Sequence, residues 1–279
     1  MLVKNGFYLI CPYILVKNLN EGYFRKGKPM SKVIQIHFSP AQTTASVVGR
    51  IASAFDSSEQ ISLMRDIDPA VCEKTDTVIV GMPVFAGRIP ATAKQRLMKI
   101  KGNQTPAIAI VVYGNRAYED ALLELKDTLE QNGFVIAAAG AFIAAHSLFP
   151  AAAAGRPDRD DLNVIDAFAA RCAEKVKSGI FPPLSVPGHF PYKDVSPIPL
   201  FPSVDESCIF CAKCADTCPV GAISNKDLRN TNTAACISCA ACVHVCPVGA
   251  RRFRGEMYER AGKMILPKCA EYLKPETFI

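Results

Sequence analysis

The sequence lacks the signatures of several common protein classes. It contains no tryptophan, no GxGxxG dinucleotide fingerprint and no apolar run long enough to cross a bilayer. A serine–histidine–acid set and the histidine spacing of zinc hydrolases are also missing. A net charge of +6 among 279 residues is too weak to predict a nucleic-acid ligand. The sequence therefore gives no support for direct NAD(P)H binding, for triad or zinc hydrolysis, for a membrane span or for nucleic-acid binding.

The N-terminal stretch does not fit the pattern of the rest of the chain. An apolar segment at 6–16 follows Lys4, but Pro12 interrupts it and no small-residue cleavage site of a secretory signal follows. Met30 stands directly ahead of the first strand pattern. We therefore interpret residues 1–29 as an N-terminal extension or a mis-assigned start.

The cysteines are numerous and unevenly distributed. Eight of the twelve lie between Cys208 and Cys246. Disulfide frameworks are typical of short secreted chains, so metal ligation explains this block better. Reduced thiols and metal centres of this kind predict a cytoplasmic location. Cys72, Cys172 and Cys269 stand apart and are interpreted as ordinary buried or surface residues.

The clustered cysteines form an internal repeat. The run C-x2-C-x2-C-x3-C-P begins at Cys208 and again at Cys236, and it resembles the two-cluster bacterial ferredoxins over its whole length. In those proteins the fourth cysteine of each run ligates the other cluster. Zinc, the alternative, is more often held by two separated C-x2-C pairs. We therefore predict two [4Fe-4S] clusters, the first bound by Cys208, Cys211, Cys214 and Cys246, and the second by Cys218, Cys236, Cys239 and Cys242.

Strand and helix patterns alternate ahead of the repeat. Strands are predicted at residues 33–38, 61–64, 77–80, 107–112 and 134–139, with amphipathic helical patterns between them. Such alternation favours a parallel sheet covered by helices on both faces, and five strands favour the flavodoxin-like order. The expected fold class is α/β, a flavodoxin-like five-stranded parallel sheet, followed by a small α+β two-cluster ferredoxin domain.

A proline-rich stretch separates the two parts, and such a stretch typically forms a semi-rigid linker. The expected organisation is an extension at 1–29, a flavodoxin-like domain at 30–180, a Pro-rich linker at 181–203, a 2[4Fe-4S] ferredoxin domain at 204–255 and a C-terminal tail at 256–279.

Three loops are predicted at the carboxyl ends of strands, where open α/β sheets bind ligands. The first carries small hydroxyl residues into a helix, as a phosphate cradle does, although an ordinary N-capped helix start has the same composition. The other two offer aromatic rings, backbone N–H groups and arginines. Because tryptophan is absent, Phe85 or Tyr113 would have to stack on a flavin ring. These loops resemble the FMN-binding loops of flavodoxins, and this resemblance implies an FMN site formed by Ser39, Gln42, Thr43, Thr44, Pro83, Val84, Phe85, Ala86, Gly87, Arg88, Tyr113, Gly114, Asn115 and Arg116.

Residues 31–279 resemble the ferredoxins whose N-terminal region is flavodoxin-like. The resemblance rests on GMPVFAGRIP at 81–90, on YGNRAYEDAL at 113–122 and on the two cysteine runs. His146 also stands at a family-like position; we assign it no catalytic role, and no catalytic residue is predicted. The resemblance implies FMN and two clusters, and it names no substrate.

The first loop departs from the flavodoxin pattern. Flavodoxins bind the FMN phosphate with a Ser/Thr-x-Thr-Gly-x-Thr loop. Ser39 and Thr44 are kept here, whereas Ala41 and Gln42 replace the usual Thr and Gly.

The function predicted from these features is electron transfer between FMN and the two clusters, with a redox protein of unknown identity as partner. FMN handles two electrons and each cluster handles one. Two alternatives stay open: an FMN-free flavodoxin-like scaffold that docks the ferredoxin, and a flavin reductase acting on a small acceptor such as a quinone. Whether the chain is an enzyme or only a carrier is left open as well.

Overall fold

The computed structural model describes residues 32–196 and 199–279. The strands are β1 (Val33–His37), β2 (Glu59–Ser62), β3 (Ala70–Cys72), β4 (Thr77–Pro83), β5 (Ile100–Gly102), β6 (Thr105–Tyr113), β7 (Phe134–Ile143), β8 (Ser203–Val204), β9 (Arg251–Arg252) and β10 (Glu276–Phe278). The helices are α1 (Thr43–Ala52), α2 (Ala91–Leu97), α3 (Ala121–Gln131), α4 (Arg159–Ser178), α5 (Lys213–Thr217), α6 (Ala241–His244) and α7 (Glu256–Ile265), followed by a 3₁₀ turn at Leu266–Cys269.

Six strands form the main sheet, in the order β10-β7-β6-β4-β1-β2. All neighbours from β7 to β2 are parallel, and β10 is antiparallel to β7. Counted along the chain, the five parallel strands stand in the order 2-1-3-4-5, which is the flavodoxin-like order. The predicted fold class is thus confirmed.

Two details of the sheet differ from the sequence prediction. The second strand occupies Glu59–Ser62 and not 61–64, because β2 is an exposed edge strand with little buried periodicity to mark its ends. The sixth strand comes from the C-terminal tail, where Thr277 pairs with Gly140 of β7. Strand β10 is only three residues long, too short to show a pattern of its own.

Two apolar cores cover the faces of the sheet. On one face α2 and α3 pack against the sheet, and on the other α1 and α4 do so. Gly81 of β4 allows α1 to come close, since a Cβ at this position would lie 2.3 Å from Cγ2 of Val48. Each fully buried aliphatic or aromatic side chain in these layers contributes about 1.5–3 kcal/mol. This packing fixes the start of α1 beside the carboxyl ends of β1 and β4.

The C-terminal part of the chain packs against the same carboxyl edge of the sheet. The Phe149 ring stacks on Tyr258 of α7 with centroids 4.9 Å apart, and the Tyr258 hydroxyl donates to the Leu148 carbonyl at 2.6 Å. Arg65 Nη1 donates to the Cys218 carbonyl at 3.3 Å, and Arg96 Nη2 donates to that of Pro219 at 2.5 Å. The cysteine repeat therefore lies directly beside the flavodoxin-like sheet.

Candidate functional site: two cysteine cavities beside a strand-end cavity

The first cysteine set, Cys208, Cys211, Cys214 and Cys246, surrounds one cavity near the surface. This cavity has a volume of about 360 Å³ including open solvent, and Val204, Phe210 and Ala250 also line it. Cys211 is exposed, and so are Ile209 and Phe210 beside it. The structure thus brings together the four cysteines predicted for the first cluster, including Cys246 from the second run.

The second cysteine set, Cys218, Cys236, Cys239 and Cys242, surrounds another cavity. This cavity has a volume of about 340 Å³ including open solvent, and Cys218, Cys239 and Cys242 are buried. Cys218 comes from the first run and the other three from the second. The structure therefore places the cysteines in the crossed arrangement predicted from the repeat.

The two runs share an unusual backbone geometry. Phe210 and Ala212 have positive φ in the first run, and Ser238 and Ala240 have positive φ at the matching places in the second. Alternation between right-handed and left-handed residues turns successive N–H groups toward one concave side, which is a common way to bind anions and iron–sulfur centres. Non-glycine residues at positive φ cost about 1–2 kcal/mol each, a strain typical of functional sites.

The backbone favours the thiolate form of Cys246, whereas burial opposes it at two other cysteines. Burial works against the Cys246 thiolate, but N–H groups of Arg251, Val248, Ala250 and Gly249 lower the pKa of Cys246 below its ordinary value. Burial raises the pKa of Cys239 and of Cys242 to about 12. Ligation must therefore displace protons from these two buried thiols.

The arrangement of the cysteines fits a cluster. Each set of four thiols surrounds its own cavity. Four cysteine thiolates with N–H groups directed at the sulfurs are the usual donors of a [4Fe-4S] cluster.

The phosphate-type loop keeps a cradle geometry despite its altered sequence. Gln42 precedes α1 in the left-handed conformation, with φ 63°, at the place where the flavodoxin pattern has glycine. The buried Ser39 hydroxyl accepts from the Ala45 N–H at 3.0 Å. Among the described residues, the N–H groups of Thr43 and Thr44 have no hydrogen-bond acceptor. These two donors are therefore free at the positive end of the α1 dipole.

Four strand ends meet at a cavity beside this loop. The cavity has a volume of about 440 Å³ including open solvent. Its wall comes from Pro40, Ala41, Thr43 and Thr44 after β1, Pro83–Phe85 after β4, Tyr113–Gly114 after β6 and Ala144–Ser147 after β7. Cys239 of the second cysteine set forms part of the same wall. We call this space the strand-end cavity.

A larger cavity adjoins it and shares Val84, Tyr113, Gly114 and His146. This adjoining cavity encloses about 1060 Å³ including open solvent. Its further lining residues include Ala86, Gly87, Arg116, Phe149 and, from α7, Ala261, Met264 and Ile265. Together the two cavities run from the start of α1 to the C-terminal helix.

Several predicted FMN residues are engaged elsewhere. Arg88 forms a two-pronged ion pair with Glu124 of α3, at 2.7 and 2.8 Å. The Asn115 side chain binds the backbone of the C-terminal segment. Ser39 and Gln42 shape the loop and do not line the cavity. Thr43, Thr44, Pro83, Val84, Phe85, Ala86, Gly87, Tyr113, Gly114 and Arg116 do line one or both cavities.

His146 is a lining residue that the sequence prediction left out of the site. Its Nδ1 accepts from the N–H groups of Leu148 and Phe149, at 3.2 and 3.3 Å. Burial, with a smaller effect of the Arg116 charge, lowers the pKa of His146 to about 4. The neutral ring therefore carries its proton on Nε2. A Cβ on Gly114 would lie 2.5 Å from this ring, so glycine is needed there.

One family model matches the part of the chain that holds the two cysteine runs. Residues 207–251 match the family described as the 4Fe-4S dicluster domain. The chain combines a flavodoxin-like domain with a 4Fe-4S dicluster domain. The dicluster domain and the flavodoxin-like fold together support an electron-transfer role for this protein. A search of curated proteins found no match.

Several solved structures are similar to the N-terminal half. Flavodoxin 1 from Bacillus cereus is 18% identical over 52% of this chain and 98% of its own, with a TM-score of 0.42. A flavodoxin from the domain Archaea is 16% identical over 52% of this chain and 99% of its own, with a TM-score of 0.35. Rubredoxin oxygen:oxidoreductase from Desulfovibrio gigas is 18% identical over 54% of this chain but only 37% of its own, with a TM-score of 0.41. The sheet order, and not these likenesses, establishes the flavodoxin-like fold of this chain.

No helix within the described parts of the chain is both long enough and apolar enough to span a membrane.

Proposed function

We propose that this protein binds FMN in the strand-end cavity and its adjoining cavity, and that it passes electrons between FMN and two [4Fe-4S] clusters. The observation that carries the proposal is the position of Cys239. This predicted cluster ligand shares a cavity wall with Thr43, Thr44 and Tyr113. A cofactor that fills the strand-end cavity would therefore touch a cluster ligand, and such proximity favours direct electron transfer.

The lining residues fit the parts of FMN. The free N–H groups of Thr43 and Thr44 at the start of α1 would bind the phosphate. The backbone of 84–87 and of 113–114 would lie along the ring, with Phe85 and the buried Tyr113 as aromatic neighbours. When bound, FMN would supply the conversion between two-electron and one-electron transfer.

The two cysteine sets have different positions, which suggests different roles. Cys239 and Cys242 are buried, and Cys239 faces the strand-end cavity. Cys211 is exposed beside Ile209 and Phe210, each with 59% of its surface exposed. The second set would thus exchange electrons with FMN, and the first set with a redox partner at the surface. The domain boundaries and the cytoplasmic location, both predicted from the sequence, stay predictions, and we include them in this proposal.

A second candidate function is reduction of a small acceptor such as a quinone. The size of the adjoining cavity, about 1060 Å³ including open solvent, favours it. Residues Ala261, Met264 and Ile265 of α7 line that space, so an acceptor would have to pass beside the C-terminal helix. Oxidation of the photoreduced protein by a panel of quinones distinguishes this activity from electron transfer to a protein.

The decisive experiment is cofactor analysis of the full chain after anaerobic purification. We expect about eight iron, eight acid-labile sulfide and one FMN per chain. Electron transfer is then tested by photoreducing the bound FMN and following the cluster signals by electron paramagnetic resonance. Full clusters without FMN, even after incubation with FMN, would contradict the proposal and favour the docking-scaffold alternative. Bound FMN whose reduction never reaches the clusters would overturn the electron-transfer step alone.

A further inference from the structure

Arg251 is a buried cation inside the dicluster domain. It begins β9, four residues after Pro247 ends the second cysteine run, and only 2% of its surface is exposed. Val204 of β8 pairs with it and fixes its backbone. The next residue, Arg252, is exposed, and its Nη2 lies 3.4 Å from Oδ2 of Asp205. Two adjacent arginines thus have opposite environments.

The hydrogen-bond partners of Arg251 are all uncharged. Its Nη1 donates to the Thr231 hydroxyl at 2.7 Å, and its Nη2 donates to the Leu228 carbonyl. Its Nε is buried and has no hydrogen-bond partner among the described residues. In the part of the chain that the structure describes, no carboxylate forms an ion pair with this guanidinium. Within residues 32–196 and 199–279, the positive charge of Arg251 is therefore not compensated by a carboxylate.

The location of this charge is between the two cysteine sets. Leu228 and Arg251 line the cavity of the first set, and Thr231 lines the cavity of the second. The guanidinium thus reaches from the wall of one cavity to the wall of the other.

Burying an unpaired cation is unfavourable by several kcal/mol, so a compensating negative charge is expected nearby. A [4Fe-4S] cluster with four thiolate ligands carries a net negative charge, and reduction adds one more. A fixed positive charge stabilises the reduced form more than the oxidised form. Net charge and hydrogen bonds near the sulfurs are known determinants of cluster potential.

We propose that Arg251 is the shared counter-charge of the two iron–sulfur sites and raises the reduction potentials of both clusters. Arg251 is a positioning residue in this role, because it acts on the clusters and ligates neither. The proposal rests on the dicluster domain and is independent of FMN.

Potentiometric titration of the full holoprotein under anaerobic conditions tests the proposal. Arg251→Met removes the charge and keeps much of the side-chain volume. We expect each reduction equilibrium constant to fall at least tenfold, which is about 59 mV toward lower potential for a one-electron couple. Arg251→Lys keeps the charge, and its two potentials should therefore stay close to those of the wild type. Arg252→Met removes the exposed neighbouring charge and should leave both potentials close to those of the wild type. Unchanged potentials in an Arg251→Met protein with full iron content would overturn the proposal, as would an equal shift in Arg252→Met.

A second measurement covers the case in which Arg251→Met fails to assemble its clusters. Wild-type protein labelled with ¹⁵N-arginine is reduced and measured by electron spin-echo spectroscopy. We expect a hyperfine coupling from a guanidinium nitrogen, and we expect Arg251→Lys to lose it. Absence of this coupling in the reduced wild type would count against the counter-charge role.

Discussion

The side-chain amide of Asn115 holds the C-terminal segment at Cys269. Its Nδ2 donates to the Cys269 carbonyl at 2.8 Å and to that of Glu271 at 2.6 Å, while its Oδ1 accepts from the Leu273 N–H at 3.3 Å. Asn115 follows β6, in the loop that lines the adjoining cavity. A residue of the candidate flavin loop thus anchors the segment that leads from α7 to β10.

Loss of this amide should loosen the C-terminal segment. Asn115→Ala removes three hydrogen bonds of about 1 kcal/mol each, so the free energy of unfolding should fall by about 2–3 kcal/mol. Hydrogen exchange should rise at residues 269–273 before it rises in the sheet. Asn163→Ala, on the exposed side of α4, is the matched control and should change neither quantity. Equal protection of 269–273 in both variants would refute the anchoring role.

The crossed arrangement of the cysteines predicts opposite effects for two matched serine variants. Cys246→Ser should lose the first cluster and leave Cys208, Cys211 and Cys214 open to alkylation. Cys218→Ser should lose the second cluster and open Cys236, Cys239 and Cys242 instead. Iron content should fall by about half in each. Mass spectrometry of the anaerobically alkylated protein locates the modified cysteines. Crossed ligation would be disproved if Cys246→Ser exposed Cys236, Cys239 and Cys242, and if Cys218→Ser exposed Cys208, Cys211 and Cys214.

A carboxylate at the start of α1 should weaken FMN binding. Thr43 lines the strand-end cavity, so Thr43→Asp places a negative charge beside the proposed phosphate position. We expect the dissociation constant for FMN to rise about tenfold or more, measured by quenching of FMN fluorescence on the deflavinated full chain. Ser46→Asp adds the same charge to an exposed position of the same helix and should have a much smaller effect. Similar constants for the two variants would place the phosphate elsewhere.

Acid should destabilise the protein through His146. Burial holds its folded-state pKa at about 4, below its ordinary value of 6.5, so the unfolded chain binds more protons between these two values. The free energy of unfolding therefore falls as the pH decreases through this window, by up to about 3 kcal/mol from this residue. Burial also lowers the pKa of His37, which contributes in the same direction.

Chemical denaturation of wild type and His146→Gln at several pH values in this window tests the assignment. The variant should lose part of the pH dependence and keep the part due to His37. Parallel stability curves for the two proteins would show that His146 does not titrate as described.

The sequence was most informative where local spacing decides the structure. The cysteine repeat is a short-range pattern that marks the two runs, and the resemblance to two-cluster ferredoxins supplied the crossed grouping of the cysteines. Alternating strand and helix patterns predicted the five parallel strands, since buried periodicity extends along each element. The edge strand β2 was displaced by two residues because its side chains are exposed and carry little of that periodicity.

Other features were decided only by the tertiary structure. The sequence of β10 gives no sign that it pairs with β7, and Arg251 has the same residue type as the exposed Arg252 beside it. The approach of Cys239 to the strand-end cavity, the capture of the C-terminal segment by Asn115 and the burial of Arg251 all join residues far apart in the chain. Local propensity and spacing describe neighbours in sequence, whereas these contacts depend on how the packed elements share a surface.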